Sequence, residues 1–111
     1  MPWQLSKICK RVPIGLGLLG GGFENGSGDI FLAFSVANES AFSYTVSNVQ
    51  MLSDEQMDPL YAATAQAVQE AVLNAMFSAE SMYGRNLNFV PSIPLDQVMK
   101  ITEKYQNSTI F

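Results

Sequence analysis

Asn25-Gly26-Ser27-Gly28-Asp29-Ile30-Phe31-Leu32-Ala33-Phe34-Ser35 places a serine between two glycines at the mouth of a nearly unbroken apolar run. Ile30 to Val36 has the composition of a central strand covered on both faces. Glycine on each side lets the backbone reach positive φ and lets another group approach Ser27 closely. A serine so flanked can attack the carbonyl of Gly26. Scission there would leave Ser27 as a new N-terminus with a hydroxyl nucleophile and an α-amino base. Asn25-Gly26 ahead of an apolar run equally fits a type I′ hairpin turn with no chemistry at all.

Upstream, Leu5 to Arg11 reads as the last turns of a helix, with basic side chains near its C-terminal dipole and Pro13 beyond it. Val12 to Leu19 sets Ile14, Leu16 and Leu18 against Gly15 and Gly17, which predicts a strand whose glycine face lies close to another backbone. The same segment, behind Lys7, Lys10 and Arg11, imitates a secretory signal; its proline and glycines argue against that, and it is too short to span a bilayer. Gly20 to Gly28 then forms a loop. Downstream, Phe42 to Leu52 continues in β-prone residues, joined to Ile30–Val36 by Ala37-Asn38-Glu39-Ser40 as a hairpin.

The strongest helix signal begins at Asp58-Pro59, with Asp58 as cap and Pro59 at the first helical position, and runs to Tyr83 before Gly84. Tyr61, Ala65, Val68, Val72, Met76, Ala79 and Tyr83 make an apolar row. Gln66, Glu70 and Asn74 make a separate polar row at i, i+4 and i+8. Arg85 to Val90 leads through Pro91 and Pro94 to a final helix, Leu95 to Tyr105, with Val98, Ile101 and Tyr105 on one face.

At 111 residues, 48% hydrophobic and 14% charged, the chain is one domain at most, and it is composed to bury much of its surface. A net charge of -4 argues against nucleic acid, which needs a Lys/Arg footprint. With no histidine, a Ser-His-Asp triad within this chain is impossible. Cys9 is the only cysteine, so no internal disulfide and no cysteine-based zinc site can form; it reads as a small buried hydrophobe rather than a reactive thiol. A cytoplasmic protein without membrane segment, metal or cofactor is expected. Glu39, Asp54, Glu55 and Asp58 read as loop charges and caps.

Lys10-Arg11-Val12-Pro13-Ile14-Gly15-Leu16-Gly17, the glycine loop, and Asn25-Gly26-Ser27-Gly28-Asp29 with its apolar run together resemble the self-cleaving DmpA-type L-aminopeptidase/D-esterase family, which includes β-aminopeptidases. The likeness continues through Asp58-Pro59-Leu60-Tyr61, Glu70-Ala71-Val72-Leu73-Asn74-Ala75, Gly84-Arg85 and Val90-Pro91. The resemblance implies an α/β/β/α sandwich reminiscent of N-terminal-nucleophile hydrolases, and a precursor cut between Gly26 and Ser27. Residues 1–26 would end an α-subunit-like segment and residues 27–111 would form a β-subunit-like segment, together one incomplete domain. It also implies Ser27 as catalytic nucleophile and a peptide, amide or ester as substrate. The free α-amino group of Ser27, with a reference pKa of about 7.7 to 8.0, would serve as base without histidine.

Family members carry a hydroxyl and a carboxylate two residues apart on the long helix, at positions that match Val68 and Glu70. Glu70 fits the catalytic carboxylate; Val68 has no hydroxyl. The likeness covers the C-terminal end of a family several times longer, so a tyrosine and an asparagine of the family's site have no counterpart here. An α-like partner portion is therefore expected, and the resemblance implies a homo-oligomer. The alternative is an inactive fragment or split-gene subunit that acts only in assembly with such a partner. A sheet lacking strands would expose apolar edges.

Overall fold

The computed structural model describes residues 1–22, 24–26 and 28–106. Among these, six elements follow in order: α1 (Pro2–Cys9), α2 (Val12–Leu18), α3 (Asp58–Ser78), β1 (Met82–Tyr83), β2 (Phe89–Val90) and α4 (Leu95–Gln106), with short 3-10 turns at Glu39–Phe42, Asp54–Gln56 and Arg85–Leu87. The contacts fall into two units, Met1–Ala71 and Val72–Phe111, with the boundary inside α3.

In the first unit, Pro2 occupies the opening turn of α1, where its missing N–H costs no hydrogen bond. The amides of Gln4 and Leu5 donate to the Met1 carbonyl (2.9 and 3.1 Å), and the Met1 ammonium donates to Gln4 Oε1 at 3.0 Å. Gln4 is buried, and its amide nitrogen donates to the Leu52 carbonyl at 2.7 Å and to Asp54 Oδ1 at 3.2 Å. Lys7 Nζ completes the clasp on Asp54 Oδ2 at 2.9 Å. Two polar residues of α1, Gln4 and Lys7, thus tie the helix to a segment some fifty positions away.

The expected strand over Val12 to Leu19 is instead α2. Pro13 lies in its first turn, where proline is tolerated, and the glycines serve packing and termination. The helix stops in a Schellman motif: Gly20 takes φ 83°, its amide donates to Gly17 O at 3.0 Å, and the Gly21 amide donates to Leu16 O at 3.2 Å. Gly15 is buried at the crossing with α3. A Cβ built there would lie 2.5 Å from the Ala65 carbonyl oxygen and 2.9 Å from Val68 Cβ. The close backbone approach read from the glycines is present, but between two helices. Arg11 closes the same side, its guanidinium 4.3 Å from the centroid of the Tyr61 ring.

The hairpin expected from Ile30–Val36 and Phe42–Leu52 does not form a ladder: the β1–β2 pair is the sheet found among the described residues. Glu39–Phe42, within the expected connection and at the start of the expected second strand, makes a 3-10 turn. The two stretches are pinned by side chains, Asn38 Nδ2 donating to Gln50 O at 2.9 Å and the Gln50 amide donating to Asn38 Oδ1 at 2.8 Å. Burial is correspondingly sparse. Among the described residues Met57, 2% exposed, is the buried hydrophobic, whereas a 48% apolar composition predicts an extensive core. Met57 also accepts the first helical bond of α3, from the Tyr61 amide at 3.0 Å, so Asp58 lies in the first turn rather than at the cap, still favourably placed against the helix dipole.

In the second unit α3 ends at Ser78, short of the predicted Tyr83, because Met82 and Tyr83 pair with Val90 and Phe89. The Tyr83 and Phe89 rings meet across the pair at a 44° tilt, with centroids 5.0 Å apart. Asn86 and Leu87 both take positive φ (59° and 60°), as a type I′ turn requires, and the Gly84 amide donates to Asn88 O at 2.7 Å. Pro94 O accepts from the Gln97 and Val98 amides at 3.0 and 3.1 Å and so begins α4.

Candidate active site

The sequence points to Gly26, Ser27 and Glu70. Ser27 lies outside the described residues, whereas Asn25, Gly26, Gly28 and Asp29 beside it are described. On one side Asn25 and Gly26 form an exposed turn, and a Cβ built on Gly26 would meet nothing within 4 Å. Neither residue takes positive φ, so the type I′ turn that Asn25-Gly26 suggests is not the conformation adopted. The left-handed glycines of the loop are Gly20 and Gly22, at 83° and 89°. On the other side Gly28 and Asp29 are exposed and lead into the apolar run. Gly26 is thus exposed, with open space where a side chain would stand.

Glu70 lies on the exposed surface of α3, as do Gln66 and Asn74 of the same polar row. Val68 is half-buried and meets α2 at Gly15. Two helical positions subtend about 200°, so Glu70 projects from the side of α3 opposite this crossing. The apolar row read from the sequence is real at its N-terminal end: Tyr61, Ala65 and Val68 are the α3 residues that meet Arg11 and Gly15. Val68 is thus a packing residue. Thr64, the hydroxyl one turn earlier, donates back to Leu60 O at 2.7 Å.

Sequence reasoning missed the polar clasp on Asp54, which it took for a loop charge. Hydrogen bonds from Lys7 first and Gln4 second hold the Asp54 carboxyl below the usual carboxylate range, and the same contact raises Lys7. The available signal was Gln4 at the third position of a helix opened by Pro2. Among the described residues no three carboxylate or cysteine side chains gather as a metal site, and no helix is long and apolar enough to cross a membrane.

The model of peptidase family S58 matches residues 1–90, which include the Ser27 motif, α1, α2 and α3. The chain belongs to peptidase family S58. The resemblance read from Asn25-Gly26-Ser27-Gly28-Asp29 and its flanks is borne out. The chain is 33% identical over 108 residues to the beta-peptidyl aminopeptidase BapA of Sphingosinicella microcystinivorans, covering 96% of this chain and 27% of that protein. It is 32% identical over 104 residues to BapA of Sphingosinicella xenopeptidilytica, covering 91% of this chain and 26% of that protein. Among solved structures it is similar to the PH0078 protein from Pyrococcus horikoshii OT3, with TM-score 0.84 and 38% identity over 93% of this chain and 30% of that one. The S58 chain described here therefore spans between a quarter and a third of the length of these relatives.

Proposed function

We propose that this chain is the nucleophile-bearing part of an S58 hydrolase that removes N-terminal residues from peptides, amides or esters, within an α/β/β/α sandwich completed by sequence this chain does not contain. The observation that carries the reading is the S58 match across residues 1–90, which includes Gly26-Ser27-Gly28. The two similar proteins named beta-peptidyl aminopeptidase support the substrate class.

In the processing step Ser27 Oγ attacks the Gly26 carbonyl carbon, the Gly26–Ser27 C–N bond breaks, and the hydroxyl proton passes to the departing nitrogen, leaving an ester. Water then cleaves the ester, freeing the Gly26 carboxylate and the Ser27 hydroxyl, beside the amine already released when the C–N bond broke. The exposed Asn25-Gly26 turn favours this by giving water access. In turnover the same hydroxyl attacks substrate while the new amine accepts its proton. Glu70 supplies a carboxylate that stabilises the ammonium form of that amine. A single cysteine and no internal disulfide suit a cytoplasmic setting.

Intact-mass measurement of the purified chain tests the processing step. The expected products are residues 1–26 and 27–111, both lost in Ser27→Ala; a folded chain that stays whole overturns it.

A second reading, an assembly piece inactive until joined by an α-like S58 portion, is favoured by a specific observation. The chain corresponds to only 27% of a relative's length and leaves most of its large apolar side chains exposed. Aminoacyl amide hydrolysis by the isolated chain, abolished by Ser27→Ala, would exclude it.

A further inference from the structure

Asn25 is followed by glycine, and none of the other six asparagines is. Both Asn25 and Gly26 are exposed, and a Cβ built on Gly26 would meet nothing within 4 Å. Among the described residues no backbone carbonyl takes up the Gly26 amide, and no hydrogen bond holds the Asn25 side chain. Asn38 is the contrast. Its Nδ2 donates to Gln50 O at 2.9 Å, its Oδ1 accepts from the Gln50 amide at 2.8 Å, and Glu39 follows it. Asn74 lies within α3, where the amide of Ala75 belongs to the helical ladder. Asn48, Asn86 and Asn88 precede Val49, Leu87 and Phe89, whose side chains crowd the approach to their amides.

An asparagine side chain is short enough to bring its Cγ against the next backbone nitrogen, the same reach that lets it bond its own main chain in turns. What usually prevents ring closure is the following residue's Cβ or a backbone held in regular structure. Glycine removes the first obstacle and has the freedom to adopt the required geometry. The exposed turn at residues 25 and 26 removes the second.

We propose that Asn25-Gly26 is a self-modification site, at which Asn25 is converted by water to aspartate and isoaspartate through a cyclic imide. The Gly26 nitrogen attacks Asn25 Cγ, the N–Cγ bond forms, the Cγ–Nδ2 bond breaks, and ammonia leaves with the Gly26 amide proton. Water then opens the ring. Addition at Cγ breaks the new N–Cγ bond and gives aspartate. Addition at the Asn25 main-chain carbonyl breaks the original peptide bond to nitrogen and gives isoaspartate, whose main chain runs through Cβ and Cγ. Both products place a carboxylate next to Gly26, and the second also lengthens the backbone there by one carbon. The reaction needs residues 25 and 26 and water alone, and proceeds whether or not Ser27 acts.

The test incubates the folded 111-residue chain in mildly alkaline buffer, with Ser27→Ala in parallel so that the bond after Gly26 stays whole. Digestion after glutamate then releases residues 25–39 as one peptide that holds both Asn25 and Asn38. Fragmentation mass spectrometry reads the change from amide to acid at each position, and enzymatic methylation with labelled S-adenosylmethionine reads the isoaspartyl carboxylate. Conversion at Asn25 is expected to outpace that at Asn38 by about tenfold or more in both chains. Gly26→Ala, whose methyl group would enter open space, should keep the fold and slow conversion at residue 25 by about tenfold, and Asn25→Gln should abolish the methyl label there. Unfolding in urea should release Asn38 and speed its conversion, while Asn25, already open, changes by less than about threefold. A folded chain that does not convert at Asn25, equal rates at Asn25 and Asn38, a rate indifferent to Gly26→Ala, or protection of Asn25 by folding of about tenfold each overturns the proposal.

Discussion

Asn25-Gly26 and Asn86-Leu87 show how local sequence and backbone geometry part company. Asn-Gly is the favoured type I′ pair, yet Asn25 and Gly26 both avoid positive φ. Asn86-Leu87 takes the left-handed conformation in both residues, and Leu87 has neither the freedom of glycine nor the short polar side chain of asparagine. The aromatic pair Tyr83–Phe89 sets the register, and the turn accommodates it. Leu87 is exposed and contributes little packing, so Leu87→Gly should stabilise the hairpin by roughly 0.5–1 kcal/mol through relief of this strain, net of glycine's unfolded-state entropy. Slower exchange of the Gly84 amide is the check.

The Asp54 clasp gives a second residue-level expectation. Lys7 and Gln4 depress the folded-state pKa of Asp54, so its contribution is complete above the unfolded value near 3.9 and fades as pH falls through the lower folded value. Lys7 is shifted the other way, so its share is complete below about 10.4 and is lost as pH rises past the raised folded value. A carboxyl carbon titration by NMR should find the Asp54 midpoint below that of an ordinary aspartate, and Lys7→Met should move it upward. The exposed geometry means added salt weakens the effect.

Among elements, the crossing of α2 on α3 is the most demanding contact. Alanine is the better helix former by about 1 kcal/mol, but a methyl group at position 15 would sit against the Ala65 carbonyl and the branched Val68 side chain. A carbonyl held in a helix ladder cannot swing aside, so the steric term wins. Gly15→Ala should destabilise the first unit by about 1–3 kcal/mol, read as a lower urea midpoint, whereas Gly17→Ala, with open space around it, should not. The glycine alternation of residues 12–19 announced a close approach without stating its partner. Period two and a short helix with glycines on separate faces are indistinguishable over seven residues.

The ends of α3 were legible to different degrees. Its start was readable to one residue because Asp58-Pro59 is a local signal. Its stop was not, because Gly84 acts in the hairpin rather than as a helix terminator, and strand pairing between residues 82–83 and 89–90 decides where the helix ends. The α4 boundaries, by contrast, were set by Pro94 and by apolar periodicity.

At the scale of the whole molecule, the proposed amine base fixes the sign of the pH response. A Ser27 amine of ordinary pKa, about 7.7 to 8.0, must be neutral to accept a proton, so kcat/KM of the assembled hydrolase should rise tenfold per pH unit below that range and level off above it. Glu70 near the amine would favour its charged form and move the midpoint upward. Glu70→Gln should then shift the profile to lower pH, with the displacement itself as the readout. A Glu70 that is only a solvated member of the row with Gln66 and Asn74 would leave the midpoint unchanged.

The sequence alone determined the family and the helices of the C-terminal half. These rest on a short ordered motif, on proline and aspartate at helix starts, and on apolar periodicity, all of which are local. Tertiary structure decided that Val12–Leu18 is a helix, that Gly15 is its contact point, that Val68 packs at this crossing, and that Ile30, Leu32, Phe34 and Val36 are exposed. Strand pairing depends on what lies across from a segment, and among the described residues no backbone–backbone hydrogen bond reaches residues 30–36.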